Sequence, residues 1–148
     1  MDSFGSGRKL MTLDELRVRG ERIRLLFNAD LQLALDYDRP TVEWLDSFID
    51  RNRHLFYDDM KYGWALGFGY ILGESIVRVF GGRWILDEQF ADEWVVELPN
   101  GVGKANPIGK AYKHLEDPTD SVLSFFRVIG LAIEQGGFDK IGSNPTAG

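Results

Sequence analysis

The chain of 148 residues contains no cysteine. That removes disulfides, thiolate nucleophiles and cysteine-ligated zinc or iron–sulfur centres, and it fits a reducing compartment. Histidine is nearly as scarce: His54 and His114 are the only two, in separate predicted elements and without HExxH spacing. A zinc site without cysteine needs about three converging ligands, so no metal or other cofactor is expected, and both histidines read as ordinary surface or helix-end residues. GxSxG is also missing, and with it the usual setting of a serine hydrolase. No apolar run is long enough for a membrane. The best candidate, within Tyr62 to Phe80, is broken by Glu74 and Arg78, leaving about a dozen residues where a span needs roughly 20. Residues 1–11 lack the apolar core of a secretory signal, so a cytoplasmic location is the expectation.

Basic residues are in deficit as well. Net charge is −6 and the isoelectric point is near 4.9. The acids are unevenly placed: Asp30 to Met60 holds eight against three bases, and Asp87 to Asn100 holds five against none. Such a surface repels phosphate backbones, which argues against nucleic-acid binding, and steers encounters with basic partners.

What is present is a globular composition, 44% hydrophobic and 13% aromatic, enough for one cored domain. Thr12 and Glu15 have capping-box spacing, and Leu16, Ile23, Phe27, Leu31 and Ala34 follow at helical period, predicting a first helix to about Leu35. Asp38 caps a second helix with Pro40 in its first turn, and Val42, Leu45, Ile49 and Phe56 continue it. A third helix runs from about Asp58 to Phe80, where Gly81-Gly82 ends it. Its glycines fall in pairs four apart, Gly63/Gly67 and Gly69/Gly73, which describes a helix packed closely on more than one side.

The period then changes to that of strands, Arg83 to Glu88 and Glu93 to Leu98, with Asn100-Gly101 turning the chain into a third strand at Val102 to Asn106. The predicted inner face carries Trp84, Leu86, Trp94, Val96 and Leu98. A short helix from Pro107 to Leu115 precedes a last one, with Asp117 as N-cap, ended by Gly136-Gly137. The expectation is an α+β domain over residues 12–137, its helices on one face of an antiparallel meander of about three strands. Residues 1–11 are expected to form a flexible arm and 138–148 a flexible tail.

Two glycine patterns suggest nucleotides and fail on context. Gly67 to Gly73 copies a dinucleotide fingerprint but lies inside a helix rather than between strand and helix. Gly101-Val102-Gly103-Lys104 has Leu98 and Ala105 where a phosphate loop needs glycine and a hydroxyl residue. Glu74, inside the apolar helix, is either a proton-transfer acid of raised pKa or the i,i+4 partner of Arg78. Glu88, Phe90, Asp92, Glu93 and Glu97 surround the strand turn, mixing acids with aromatics as recognition surfaces do. Asp36 and Asp38 add to the acidic side.

The segments LGESIVRVFGGRW (Leu72 to Trp84) and ANPIGKAYKHLEDPTDSVLSFFRVI (Ala105 to Ile129) resemble small acidic bacterial domains of immunity type. In those, a Leu-Gly-Glu helix leads to Gly-Gly-x-Trp, a short strand region and an Asn-Pro-x-x-Lys helix start. The resemblance spans roughly the C-terminal half. It implies a non-catalytic protein that neutralises a toxin or effector domain with a basic surface by direct binding, and it transfers no catalytic residue. Two rivals remain: a small enzyme built on Glu74, and an oligomeric adaptor, such as a homodimer, using the mixed-charge face of helix one.

Overall fold

The computed structural model describes residues 10–90 and 93–142. Among the described residues, five α-helices and a three-stranded antiparallel sheet make a small α+β domain: α1 (Leu13–Leu31), α2 (Arg39–Asn52), α3 (Asp58–Phe80), β1 (Arg83–Asp87), β2 (Glu93–Glu97), β3 (Lys104–Ala105), α4 (Pro107–Glu116) and α5 (Val122–Gln135). The strands lie in the order β1-β2-β3. Among the described residues no helix is long and apolar enough to cross a membrane.

Helix α3 is the axis of the molecule. Residues Ala65 to Gly73 are buried without interruption, because α1, α2, α4 and α5 all pack against it. Glycine makes those approaches possible. A Cβ on Gly67 would stand 2.2 Å from Ile23 Cδ1, one on Gly69 would stand 2.6 Å from Ile108 Cα, and one on Gly73 would stand 2.3 Å from the Trp84 ring. From the facing side, Gly20 of α1 makes room for Tyr70. Gly63 is different, with nothing within 4 Å.

The capping box forms as its spacing predicts: Thr12 Oγ1 accepts the Glu15 N–H at 3.1 Å and Glu15 Oε1 accepts the Thr12 N–H at 2.8 Å. Helix α1 ends four residues sooner than expected, with Gln32 in the left-handed region at φ 54°. The cause is Asn28, whose side-chain amide takes both the N–H and the carbonyl of Leu35 and turns the chain back. Asp38 caps α2 through the Thr41 N–H.

The start of α5 also differs from expectation. Asp117 closes α4 and a turn, accepting the Thr119 N–H at 2.9 Å, and the N-cap is Ser121. At the other end Gly136 adopts φ 93° and the N–H groups of Gly136 and Gly137 both reach the Ala132 carbonyl. The chain expected to be a tail begins with a 3-10 turn, Phe138–Lys140, packed on α5. The end of the expected arm is likewise tied down, since Trp94 Nε1 donates to the Met11 carbonyl at 2.8 Å.

In the sheet, Trp84 pairs with Val96, Ile85 with Val95 and Leu86 with Trp94. Trp84, Trp94, Val96 and Leu98 join the core as predicted. Leu86 does not; it is 41% exposed. The helices reach the end of β1 where Trp84 sits on Gly73, and Leu86 lies beyond them on the edge strand. The returning strand is only two residues long, because Asn106 already caps α4 through the Gly109 N–H.

Val95 is fully buried yet stands outside the main core cluster. Strand alternation puts it on the face opposite Trp84, together with Ile85, Asp87 and Lys104. There Lys104 Nζ of β3 meets Asp87 Oδ2 of β1 at 2.7 Å, so this ion pair straps the two outer strands together across β2.

Candidate functional site

The residues singled out at the strand turn fall into different situations. Glu88 is exposed and has no hydrogen bond or ion pair among the described residues. Phe90 is half-buried in the 3-10 turn Glu88–Phe90. Glu93 accepts the Tyr62 hydroxyl at 3.2 Å, and Glu97 takes Arg83 Nε at 2.8 Å. Asp92 lies outside the described residues. Asp36 faces Arg78 at 3.7 Å, and Asp38 is the α2 cap. Since Glu93 sits by Tyr62 and Asp36 by Arg78, sixteen residues of α3 separate them, about 24 Å along the axis. The structure therefore gathers Glu88, Phe90 and Glu93 and leaves Asp36 and Asp38 elsewhere. It adds Tyr62, 52% exposed beside Glu93, which the sequence hid inside an apolar run.

Glu74 is enclosed by partners. Its Oε2 accepts Arg78 Nε at 2.9 Å and its Oε1 accepts Trp84 Nε1 at 3.0 Å. Around it lies a dense array of rings and cations: Trp84 stacks on Tyr70 with centroids 5.5 Å apart, and Arg24 and Arg78 both stand over the Tyr37 ring. The Tyr37 hydroxyl donates to Glu21, which also holds Arg24 at 2.8 Å. Burial, reinforced by the Glu21 acceptor, raises the Tyr37 pKa; burial and the Glu74 charge push Tyr70 up to about 12. Both are buried phenols that stay protonated.

Because the folded state holds those two protons more tightly, their contribution to stability is complete below the ordinary tyrosine pKa of about 10 and disappears as pH rises through the folded values. An alkaline titration followed by tyrosinate absorbance and circular dichroism should show Tyr37 and Tyr70 ionising together with unfolding. Ionisation of all five tyrosines with the fold intact would refute this.

A second polar constellation escaped the sequence reading. Of the surface or helix-end positions expected for the histidines, His54 takes an exposed one and His114 one in the last turn of α4, where it is nevertheless fully buried. His114 Nδ1 accepts the Val122 N–H at 3.3 Å, which places the ring proton on Nε2, facing Asp50 Oδ1 at 2.9 Å. Asp46 Oδ1 accepts the Ser121 hydroxyl and the Leu123 N–H. Arg53 bonds the His114 carbonyl at 2.8 Å and Asp50 at 2.8 Å. Burial raises the Asp50 pKa, but Arg53 and then His114 outweigh it and hold the carboxyl below its usual range.

The ligand-type atoms of Asp46, Asp50 and His114 lie within 4.8 Å of one another, a spacing that invites a metal or acid–base reading. Their bonds favour another role. The first three N–H groups of α5, on Val122, Leu123 and Ser124, are taken by His114, Asp46 and Ser121 in turn. A helix start leaves such donors unpaired, so this constellation is a three-residue cap assembled from α2, α4 and the chain before α5. Sequence could have offered one signal, Ser121 at an N-cap position, but Asp46 lies 75 residues away from it.

No family model, curated protein or solved structure matches this chain. The fold and these two polar networks define a small α+β domain whose most conspicuous titratable groups are committed to holding it together.

Proposed function

We propose that the chain is a non-catalytic binding protein of the immunity type, which neutralises a toxin or effector domain with a basic surface by contact through the β1–β2 turn. One observation carries this reading. Glu74, Asp46, Asp50 and His114, the groups best suited to chemistry, are all engaged internally, whereas Glu88 stands exposed and has no partner among the described residues, next to Phe90, with Glu93 and the exposed Tyr62 alongside. An aromatic with a polar tip and a neighbouring acid form the kind of pair that anchors and steers a protein partner.

The test is to mix the purified protein with toxin-like proteins encoded beside it and measure complex formation and protection of cells. Glu88→Arg combined with Tyr62→Ala should weaken the complex at least tenfold, about 1.4 kcal/mol or more, while Glu74→Gln leaves it unchanged. Failure to bind or protect, or a turnover activity lost in Glu74→Gln, would overturn the reading.

A further inference from the structure

We propose that β1 is a self-pairing edge, through which two copies of the chain join antiparallel about a two-fold axis at Ile85 to make one six-stranded sheet. The inference does not depend on the toxin-binding reading.

Strand β1 bounds the sheet, and among the described residues no group outside the sheet hydrogen-bonds to its backbone. Its five residues pair one-to-one with β2 without a bulge. Exposed edges of this kind are normally blunted by proline, lysine, bulges or a covering element, since free N–H and C=O groups template pairing with another chain. Here the centre of the strand is Trp84-Ile85-Leu86, and Leu86 is the side chain the helices leave uncovered.

Charge selects both the partner and the direction. The strand begins at Arg83, which bonds Glu97 of its own chain through Nε at 2.8 Å yet leaves its side chain 74% exposed, and ends at Asp87 followed by the exposed Glu88. Lys104 already neutralises Asp87, so Glu88 supplies the open negative charge. Antiparallel pairing of two copies sets Arg83 of each against the acidic end of the other, twice over. Parallel pairing would set like against like. The same alignment puts Trp84 opposite the other copy's Leu86, covering it, and Ile85 opposite itself. The interface is isologous, as closed dimers require. Two five-residue strands form a small contact, so association in the range of about 10–500 µM is expected.

Sedimentation over that range should show the mass rising from the 16.8 kDa of one chain toward twice that value. Leu86→Lys, at an exposed position, should weaken association at least tenfold with unchanged melting temperature. Arg83→Glu should weaken it as much, and should lower the melting temperature too because it sets a second acid against Glu97. The register has its own test, made easy by the absence of cysteine. In Ile85→Cys the two thiols meet across the axis and should form an intermolecular disulfide on mild oxidation. In Leu86→Cys they are offset by two residues in each direction, about 8 Å apart, beyond the reach of a disulfide, and should not. A protein monomeric at the highest concentration, a dimer indifferent to Leu86→Lys, or equal cross-linking by both cysteine variants would overturn the proposal.

Discussion

Gly69→Ala should destabilise the protein, and Gly63→Ala should stabilise it, although the two glycines lie six residues apart in one helix. Alanine improves helix propensity at either position by about 1 kcal/mol. At Gly63 that gain stands alone, because nothing lies within 4 Å of the added methyl. At Gly69 the methyl would sit 2.6 Å from Ile108 Cα and 3.0 Å from its nitrogen, and a backbone cannot swing aside as a side chain does. Helix α4 would have to move off α3, and α4 carries His114 and the start of the α5 cap. Overpacking of this type costs about 1–3 kcal/mol, so a net loss is expected despite the better propensity. Denaturant midpoints at constant slope would measure both signs; equal shifts in the two variants would show that close helix approach is not what these glycines provide.

His114→Ala should have the larger effect, a loss of about 3–5 kcal/mol from truncation of a fully buried side chain and desertion of its hydrogen-bonding partners. The Val122 N–H would lose its acceptor and Asp50 one of its two donors. His114→Asn should recover part of the loss, because its amide oxygen can occupy the place of Nδ1. The Asp50 contribution has a pH signature. Its folded pKa is depressed, so the stabilisation is present above the ordinary carboxylate range and vanishes as pH falls through the folded value. Wild type should lose more stability on acidification than His114→Ala does. A loss below about 1 kcal/mol in His114→Ala would be incompatible with a capping role of the size ordinary helix caps display.

These expectations also mark what the sequence could tell and where it fell silent. Local signals were legible. The Thr12–Glu15 box, the Asp38 cap, the Gly81-Gly82 and Gly136-Gly137 stops, and the period change after Phe80 each depend on neighbours within a few residues, and each is in place. The packing glycines were legible for a similar reason, since an apolar helix with small residues at spacing four has little else to do with them. Gly63 shows the limit: spacing matched, but no neighbour arrived.

Apart from the N-cap of α5, where Ser121 takes the role expected of Asp117, the misses involve partners beyond the few residues a local signal reads. Asn28 shortens α1 by grasping Leu35, Leu86 is exposed because the helices stop short of it, and Lys104 meets Asp87 across a strand that separates them. Sequence adds Asp36 to the acidic side of the strand turn, and the fold sets it by Arg78, far along α3 from Glu93 beside Tyr62. The sequence leaves Glu74 open as a proton-transfer acid or as the partner of Arg78. Its bonds to Arg78 and Trp84 favour the second, and the tryptophan bond could not be seen without the strand in place.

The arrangement at the head of α5 carries a consequence for how the molecule comes apart. Its acceptors are contributed by two other helices, Asp46 from the second and His114 from the fourth, so the last helix cannot peel away without stranding groups deep in the interior, nor can either donor helix shift without unseating the last. Opening that begins at α5 should therefore spread to the whole body in one step. Amide exchange at Val122 and Leu123, whose acceptors come from those two helices, should proceed at the pace of global opening.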